Sequence, residues 1–551
     1  MQKVIDERVA GRAALGLILI VALGWRLHNI GFGLPSLYDP DEPIFMITAL
    51  RMLAEASLNP GWFGHPGSTT IYLVALIDAG IAGWGLVSGR YADIGEFSRA
   101  AYANPGLLFI PARVAMALLG TLCVGLTYAL GRRLHGTTTG LIAAALLAVN
   151  SLHIAWSQVI RTDIHASIFM LASLLFAARI AERGRLRDYL LAGAFAGLAT
   201  VTKWPAATVF VAVIGAFIFA RRQQNGAERP PLVRLVAAAA AVFAAMFIAS
   251  PYIFLDWHTV IANVSGEVKS GHLGHNGGSF VDNLAYYLGG PVAGSTGAIG
   301  LVLALGGAAL AAVPSASTSP IARWTMIPAT ILFLALICTQ NLIWSRWVLP
   351  VLPMICIFAG FALATLGELI GRRLSGIRMA IAIGALGILA GTPSLMAAIA
   401  GSTERANDTR IQAARWAADH IPRGSRVVFE HLELKLRDQP WQILFPIGDA
   451  GCIDGKRALS GGISYAQVQQ LRNGSPIVDL GNVSRQRIES CRADYAVLAY
   501  YDLYRAEGAR YPAELATYRT LLANGRTVAL FRPAPGRAGG PVVRVVALPT
   551  R

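Results

Sequence analysis

The chain is short of charge. Only 14% of its 551 residues are Asp, Glu, Lys or Arg, against 55% hydrophobic, where a soluble globular protein carries about 25% charged residues. Lysine is the scarcest cation, with five residues, so arginine is the default positive charge. Cysteine is scarce too, also five. No GxGxxG, Walker loop, H-E-x-x-H or CxxC pair appears, and ATP-driven transport has no support. Low-complexity tracts and internal repeats are missing. A soluble protein is excluded by composition. A β-barrel is excluded because the apolar runs are long and unbroken, whereas barrel strands alternate over about 10 residues. Nucleic-acid binding is excluded because the net charge of +16 is spread over many short loops.

What remains is a set of apolar segments near 11–30, 66–87, 107–131, 138–155, 163–182, 188–202, 204–220, 233–255, 289–313, 322–339, 348–370 and 377–399. Runs of about 20 apolar residues cross bilayers as helices. The N-terminus carries Lys3, Arg8 and Arg12 with no A-x-A-like cleavage site, which reads as an uncleaved first span. Arginine-rich loops at 131–136, 182–188, 221–234 and 371–378 belong on the cytoplasmic side, and part of the charge meets anionic lipid phosphates. The N-terminus and residue 131 then lie on the same side, so an even number of crossings separates them. Segment 66–87 breaks that parity, which predicts that it lies along or dips into the outer interface. The remaining segments alternate as eleven spans. Beyond about residue 400 polar and turn residues rise and no run can span, which predicts an outer α/β domain at 401–551 with a helix at 408–421 and strands at 425–430, 441–445, 494–500 and 527–532.

This topology collects the unusual polar residues on the outer face, where ionisable groups near membrane depth are costly and commonly functional. "DPDEPIF" holds Asp39, Asp41 and Glu42. These acids can remove a proton from a hydroxyl, divide the roles of base and metal ligand, or simply favour a helix start near Pro43. His65-Pro66 either opens a helix or approaches the acids. Arg161 and Asp163 in "SQVIRTDIHASIF" suggest an ion pair, with a guanidinium fork suited to phosphate or a snorkelling anchor as alternatives. Lys203 sits at a Trp-Pro break as a point charge for phosphate or an interface anchor. Arg346, flanked by tryptophans, is an aromatic-belt residue or a phosphate clamp. The loop 249–278 carries His272 and His275 near Glu267, two metal-type ligands and a carboxylate without a convincing further ligand, and its glycines suit a substrate-covering segment. Cys123, Cys338 and Cys356 fall in apolar spans. Cys452 and Cys491 lie in the polar C-terminal region and are candidates for a disulfide if that region sits in an oxidising compartment.

In this order the motifs resemble the GT-C superfamily of membrane glycosyltransferases, nearest to the protein O-mannosyltransferase and aminoarabinose (lipid A) transferase group. Asp41-Glu42 matches that group's outer-loop acidic pair, and His65-Pro66 its His-Pro-Pro-Leu-like helix, with Gly67 and Ser68 as departures. "GRRLHG", "GLATVTK" ending in Lys203, "RWVLPVLP" beginning at Arg346, and the tail motifs at 414–430 and 492–505 complete the likeness over most of the chain. The resemblance implies a polytopic helical GT-C fold of about 11–13 spans over residues 1–400, with juxtamembrane helices in the loop 31–106. It implies a polyprenyl-phosphate sugar donor, a lipid, glycan or protein acceptor, and Asp41 as general base with Glu42 beside it. Arg161, Lys203 and Arg346 would hold the donor phosphate, while His65, Asp163 and Asp39 orient the substrate. A divalent metal ion is the one cofactor left open. The expected location is a bacterial inner membrane with the site outside. A transporter or flippase of a lipid-linked sugar is the competing reading, although repeated halves, common in transporters, are missing.

Overall fold

The computed structural model describes residues 2–223, 229–267, 269–314, 319–371, 377–431, 436, 438–458, 460, 465–472 and 478–549. Contacts divide the chain into two units. One comprises residues 1–30, 39–270 and 277–399, and the other 31–38, 271–276 and 400–551.

The first unit is helical: α1 (Gln2–Leu27), α2 (Glu42–Ala54), α3 (Ser68–Val87), α4 (Ile94–Ala103), α5 (Gly106–His135), α6 (Thr137–Ala148), α7 (Ser151–Trp156), α8 (Thr162–Arg183), α9 (Leu186–Thr202), α10 (Phe210–Gln223), α11 (Leu232–Ala249), α12 (Tyr252–Leu255), α13 (Trp257–Glu267), α14 (Phe280–Tyr287), α15 (Ala293–Ala312), α16 (Ile327–Cys338), α17 (Leu352–Gly371) and α18 (Ile377–Ala406), the last running into the second unit. Among the described residues nine helical stretches are long and apolar enough to cross a membrane, and Thr137–Ala148 and Ala322–Cys338 are shorter apolar helices. The chain is a multi-pass membrane protein. The stretch Ser345–Gly371 is buried over 94% of its span window and forms the centre of the unit. The stretch Leu232–Ala249, at 11%, turns most of its surface outward.

Helix ends follow the sequence. α5 finishes on Arg132, Arg133 and His135, cations that suit the negative end of the helix dipole, and stops at Gly136. α8 stops at Gly184, whose φ of 61° is a left-handed cap.

The parity of the first loop can be followed through contacts. α1 begins near the start of α6, where a Cβ on Gly11 would lie 3.4 Å from Thr137. α1 ends near the end of α6, where Arg26 donates to the carbonyls of Leu147 (3.2 Å) and Ala148 (3.1 Å). Arg113, near the start of α5, donates to Ile30 O at 2.9 Å, so α5 starts where α1 finishes. α3 starts at that same end, with Gly67 N donating to Thr202 O at 3.3 Å. Residues 31–105 therefore make no net crossing, although α3 alone, at about 30 Å, has the length of a span.

The second unit holds a six-stranded sheet of β1 (Arg426–Phe429), β2 (Gln442–Pro446), β3 (Cys452–Asp454), β4 (Tyr495–Leu498), β5 (Arg526–Phe531) and β6 (Val543–Ala547), in the order β3-β2-β1-β4-β6-β5. β1 pairs in parallel with both β2 and β4, and the outer pairings are antiparallel. The helix α19 (Thr409–His420) starts on Asp408, whose carboxylate accepts from Arg410 N at 2.8 Å. The strands β3 and β6 lie outside the strands expected from the sequence. Cys452 and Cys491 are disulfide-bonded, and Cys123, Cys338 and Cys356 are buried free thiols.

Candidate active site

The polar residues of the first unit gather where helices break. Asp41 is the residue before α2, Arg161 precedes α8 in extended backbone, and Lys203 is extended between α9 and a 3-10 turn at Trp204–Val209. Arg346 lies in a second 3-10 turn, Ser345–Val351. The Trp-Pro and Leu-Pro steps force two of these breaks, since Pro disfavours helix in the residue before it. Each break points one ion at a shared place.

Asp39 does the capping work at α2. Its Oδ1 accepts from the backbone of Asp41 (3.0 Å) and Glu42 (3.2 Å), while Asp41 makes no cap bond with its own side chain. The Asp41 carboxylate is thereby free for other partners. Arg161 donates one nitrogen to Asp41 Oδ2 and another to Asp39 Oδ1 at 2.7 Å. Arg346 reaches Asp41 Oδ2 at 3.5 Å. Lys203 pairs with Asp163. Trp156 lies under both guanidiniums, 5.6 Å from Arg161 and 5.7 Å from Arg346, and Trp344 stacks on Arg346 at 4.1 Å. The side chains of Arg161 and Asp163 are 3% and 2% exposed, whereas Asp41 is 25% exposed. Asp41 is the accessible acid of the group. Burial pushes its carboxyl up, but the charges of Arg161 and Arg346 outweigh it and hold the pKa at about 2.

Glu42 is held quite differently from Asp41. It is fully buried. Its Oε1 accepts from Arg113 Nε (2.9 Å) and Ile160 N (2.9 Å), and its Oε2 from Arg113 Nη2 (2.6 Å). Both oxygens are occupied by protein, so Glu42 fixes α2 to α5 and to the strand-like step before Arg161. Sequence reasoning missed Arg113. The available signal was a lone arginine inside the apolar run of α5, beside Pro111.

His65 faces the same place. Its Nε2 lies 3.9 Å from Glu267 Oε2, beyond hydrogen-bond length. Burial pushes the imidazole down to about 3, against the pull of Asp41, so His65 is neutral. Burial raises Glu267. Gly67 explains the departure from His-Pro-Pro. Its φ is 71°, a region closed to proline, and a Cβ there would meet Phe45 at 3.0 Å.

His272 and His275 belong to the other unit, their rings 5.4 Å apart, with His272 Nδ1 3.0 Å from Leu273 O. Among the described residues no three His, Cys, Asp or Glu side chains come together as a metal set. Asp39, Asp41 and Asp163 each already face a fixed cation, and hard divalent ions need oxygens free of such competition. These acids do not fit a divalent metal, and Glu267 lies 3.9 Å from His65 Nε2.

A groove of about 1030 Å³ opens beside the ions, lined by Met52, Leu73, Leu76, Leu119 and Ile248, with Thr69, Tyr72 and His165 as its polar members. Thr69 Oγ1 meets Thr202 Oγ1 at 2.6 Å, next to Lys203 in the chain. His165 Nδ1 lies 3.2 Å from Thr70 Oγ1. Sequence reasoning did not single out His165, although it stands one turn from Arg161.

Residues 106–260 match the family described as dolichyl-phosphate-mannose-protein mannosyltransferase. No curated protein matches by sequence. Among solved structures, ArnT from Cupriavidus metallidurans in the apo state is similar over 98% of both chains, with a TM-score of 0.50 at 16% identity. The archaeal oligosaccharyltransferase AglB from Archaeoglobus fulgidus, solved with an inhibitory peptide and a dolichol-phosphate, covers 94% of this chain and 73% of its own, with a TM-score of 0.47 at 10% identity. Arabinofuranosyltransferase AftD from Mycobacteria covers 99% of this chain and 40% of its own, with a TM-score of 0.43 at 16% identity. The ArnT likeness is one of fold. The chain has the GT-C architecture, a helical membrane bundle followed by a small sheet region.

Proposed function

We propose that the chain is a membrane glycosyltransferase that moves a sugar from a polyprenyl-phosphate-linked donor to a hydroxyl or phosphate oxygen of a lipid, glycan or protein. The observation that carries this reading is Asp41: an accessible carboxylate between two guanidiniums, with an ammonium nearby. Such a set offers a proton acceptor and an anion site within one small region. The family match at residues 106–260 names a lipid-phosphate sugar in its description. The apolar groove, whose lining residue Thr69 hydrogen-bonds Thr202, the residue before Lys203, suits an isoprenoid whose phosphate meets the cations. The arginine-rich loops lie at the opposite end of the bundle, which supports an extracytoplasmic site.

In the proposed step the acceptor oxygen attacks the anomeric carbon while Asp41 takes its proton. The bond from that carbon to the donor phosphate oxygen breaks, and polyprenyl phosphate leaves with the electron pair. A single displacement inverts the anomeric centre. Arg161, Arg346 and Lys203 stabilise the charge that develops on the leaving phosphate. Asp41 at a pKa of about 2 is a weak base. A phosphate that engages Arg161 and Arg346 loosens their hold on Asp41 and restores its basicity, so donor binding primes the base. His65 supports the acceptor side as a neutral ring.

The test is sugar transfer in membranes from a synthetic polyprenyl-phosphate sugar. Wild-type chain should release polyprenyl phosphate, and Asp41→Asn should not. An Asp41→Asn chain with full turnover removes Asp41 from the reaction. Mass spectrometry of lipids, glycans and exported proteins from a deletion strain then identifies the missing sugar and its acceptor.

A further inference from the structure

α13 presents two faces of opposite character. Trp257, Ile261 and Val264, at helical spacing i, i+4, i+7, are 51%, 55% and 37% exposed. No residue of this helix is buried. The other face is fastened to the loop that carries His65. Asn263 Oδ1 accepts from Phe63 N at 2.7 Å, and Asn59 Nδ2 donates to Asp256 Oδ2, just before the helix, at 3.0 Å. Glu267 closes on His65, and a Cβ on Gly64 would lie 2.7 Å from its Oε1, so this approach needs glycine.

An exposed apolar stripe on a short helix calls for an occupant. Two observations indicate which. α11 turns its apolar side chains outward, with Phe243, Phe247 and Ile248 at 61%, 50% and 81% exposed, and ends at Ala249, eight residues before α13 begins. Val260 of α13 and Val242 of α11 both pack on a buried cluster that includes Met246 of α11. α13 thus sits against a span whose own apolar side chains point outward. The segment also carries Asp256 and Glu267 and no Lys or Arg, so anionic headgroups are not the attraction.

We propose that α13 docks on the outer leaflet, seating Trp257, Ile261 and Val264 at the boundary between headgroups and acyl chains. The partner is the apolar layer of the lipid surface, whatever the headgroup charge. Bonds from the opposite face then make the bilayer a support for the His65 loop.

The experiment uses the full chain in lipid nanodiscs with a nitroxide at Ile261→Cys or, separately, Val264→Cys. Unsubstituted chain sets the background from the three buried free thiols. Ala262→Cys, a quarter turn away and exposed, is the comparison. Collision with oxygen, which concentrates in lipid, should exceed collision with a water-soluble nickel chelate at 261 and 264, and the order should reverse at 262. The result should persist when anionic lipid is replaced by zwitterionic lipid. Nickel-dominated collision at both 261 and 264 overturns the proposal, as does a lipid signal that vanishes without anionic headgroups.

Discussion

Asp41 in the helical unit is a half-buried carboxylate and Glu430 in the sheet unit a buried one, and their acidities move in opposite directions. Burial raises each. Around Asp41 the charges of Arg161 and Arg346 outweigh burial and hold it at about 2. Among the described residues no cation pairs with Glu430. Burial and the neighbouring Asp479 push it up to about 7, although Tyr518 and the backbone of Leu480, Ala499 and Tyr500 all donate to it. The difference traces to fixed cations beside Asp41 and a like charge beside Glu430.

Replacing Asp41 by Asn keeps the shape and removes the base. A fall in kcat of about 10³–10⁴ is expected, with donor binding retained. Unchanged donor affinity alongside lost turnover is the signature to look for, and loss of both would point to a structural role. Glu42→Ala, one residue on, should do the reverse. It leaves Arg113 buried without its partner, at a cost of about 3–5 kcal/mol of stability, read by thermal unfolding of purified protein. Active-site titration of the surviving folded fraction should show near-normal turnover. Arg346→Ala should lower turnover by about 10² and bring Asp41 closer to the behaviour of Glu430, because one of the two cations that depress it is gone. The acid limb of kcat/KM, set by the free enzyme, should then move to higher pH. In wild type Asp41 stays ionised above its pKa of about 2, so no acid limb from it is expected above about pH 4. A wild-type limb near pH 6 that disappears in Asp41→Asn would contradict this.

The ionic site was legible because charge inside an apolar chain is conspicuous. Asp41, Arg161, Lys203 and Arg346 each interrupt a hydrophobic run at a predicted helix boundary, and the positive-inside rule puts them at one end. Their division of labour was not legible. Asp39, Asp41 and Glu42 look alike within four residues. Only three-dimensional partners make one a cap, one an accessible ion-paired acid and one a buried structural ion. Arg113 is 71 residues from Glu42, a separation no local pattern reports. The strands β1, β2, β4 and β5 announce themselves by short apolar runs, whereas β3 has three residues and gains its place from pairing with β2. His272 and His275 suggested a metal through spacing alone, and spacing does not reveal which unit a loop joins.

The smallest effect expected is also the one that tests the comparison from the other side. In the sheet unit Glu430 binds its proton more tightly folded than unfolded. Between its ordinary value near 4.5 and its folded value of about 7 the folded state therefore holds more protons than the unfolded one. Stability from this group is complete below that window and is lost as pH rises through it. Asp41, depressed, behaves in the opposite sense and loses its contribution only as pH falls below about 4. Calorimetry of the full chain should show the transition of the sheet unit falling as pH rises from about 5 to 7. Asp479→Asn removes the like charge that helps raise Glu430 and should shift that fall to lower pH, moving Glu430 toward the state that cations impose on Asp41. A transition that is flat or rises across this range would mean that Glu430 is already ionised in the fold, its four donors having outweighed burial.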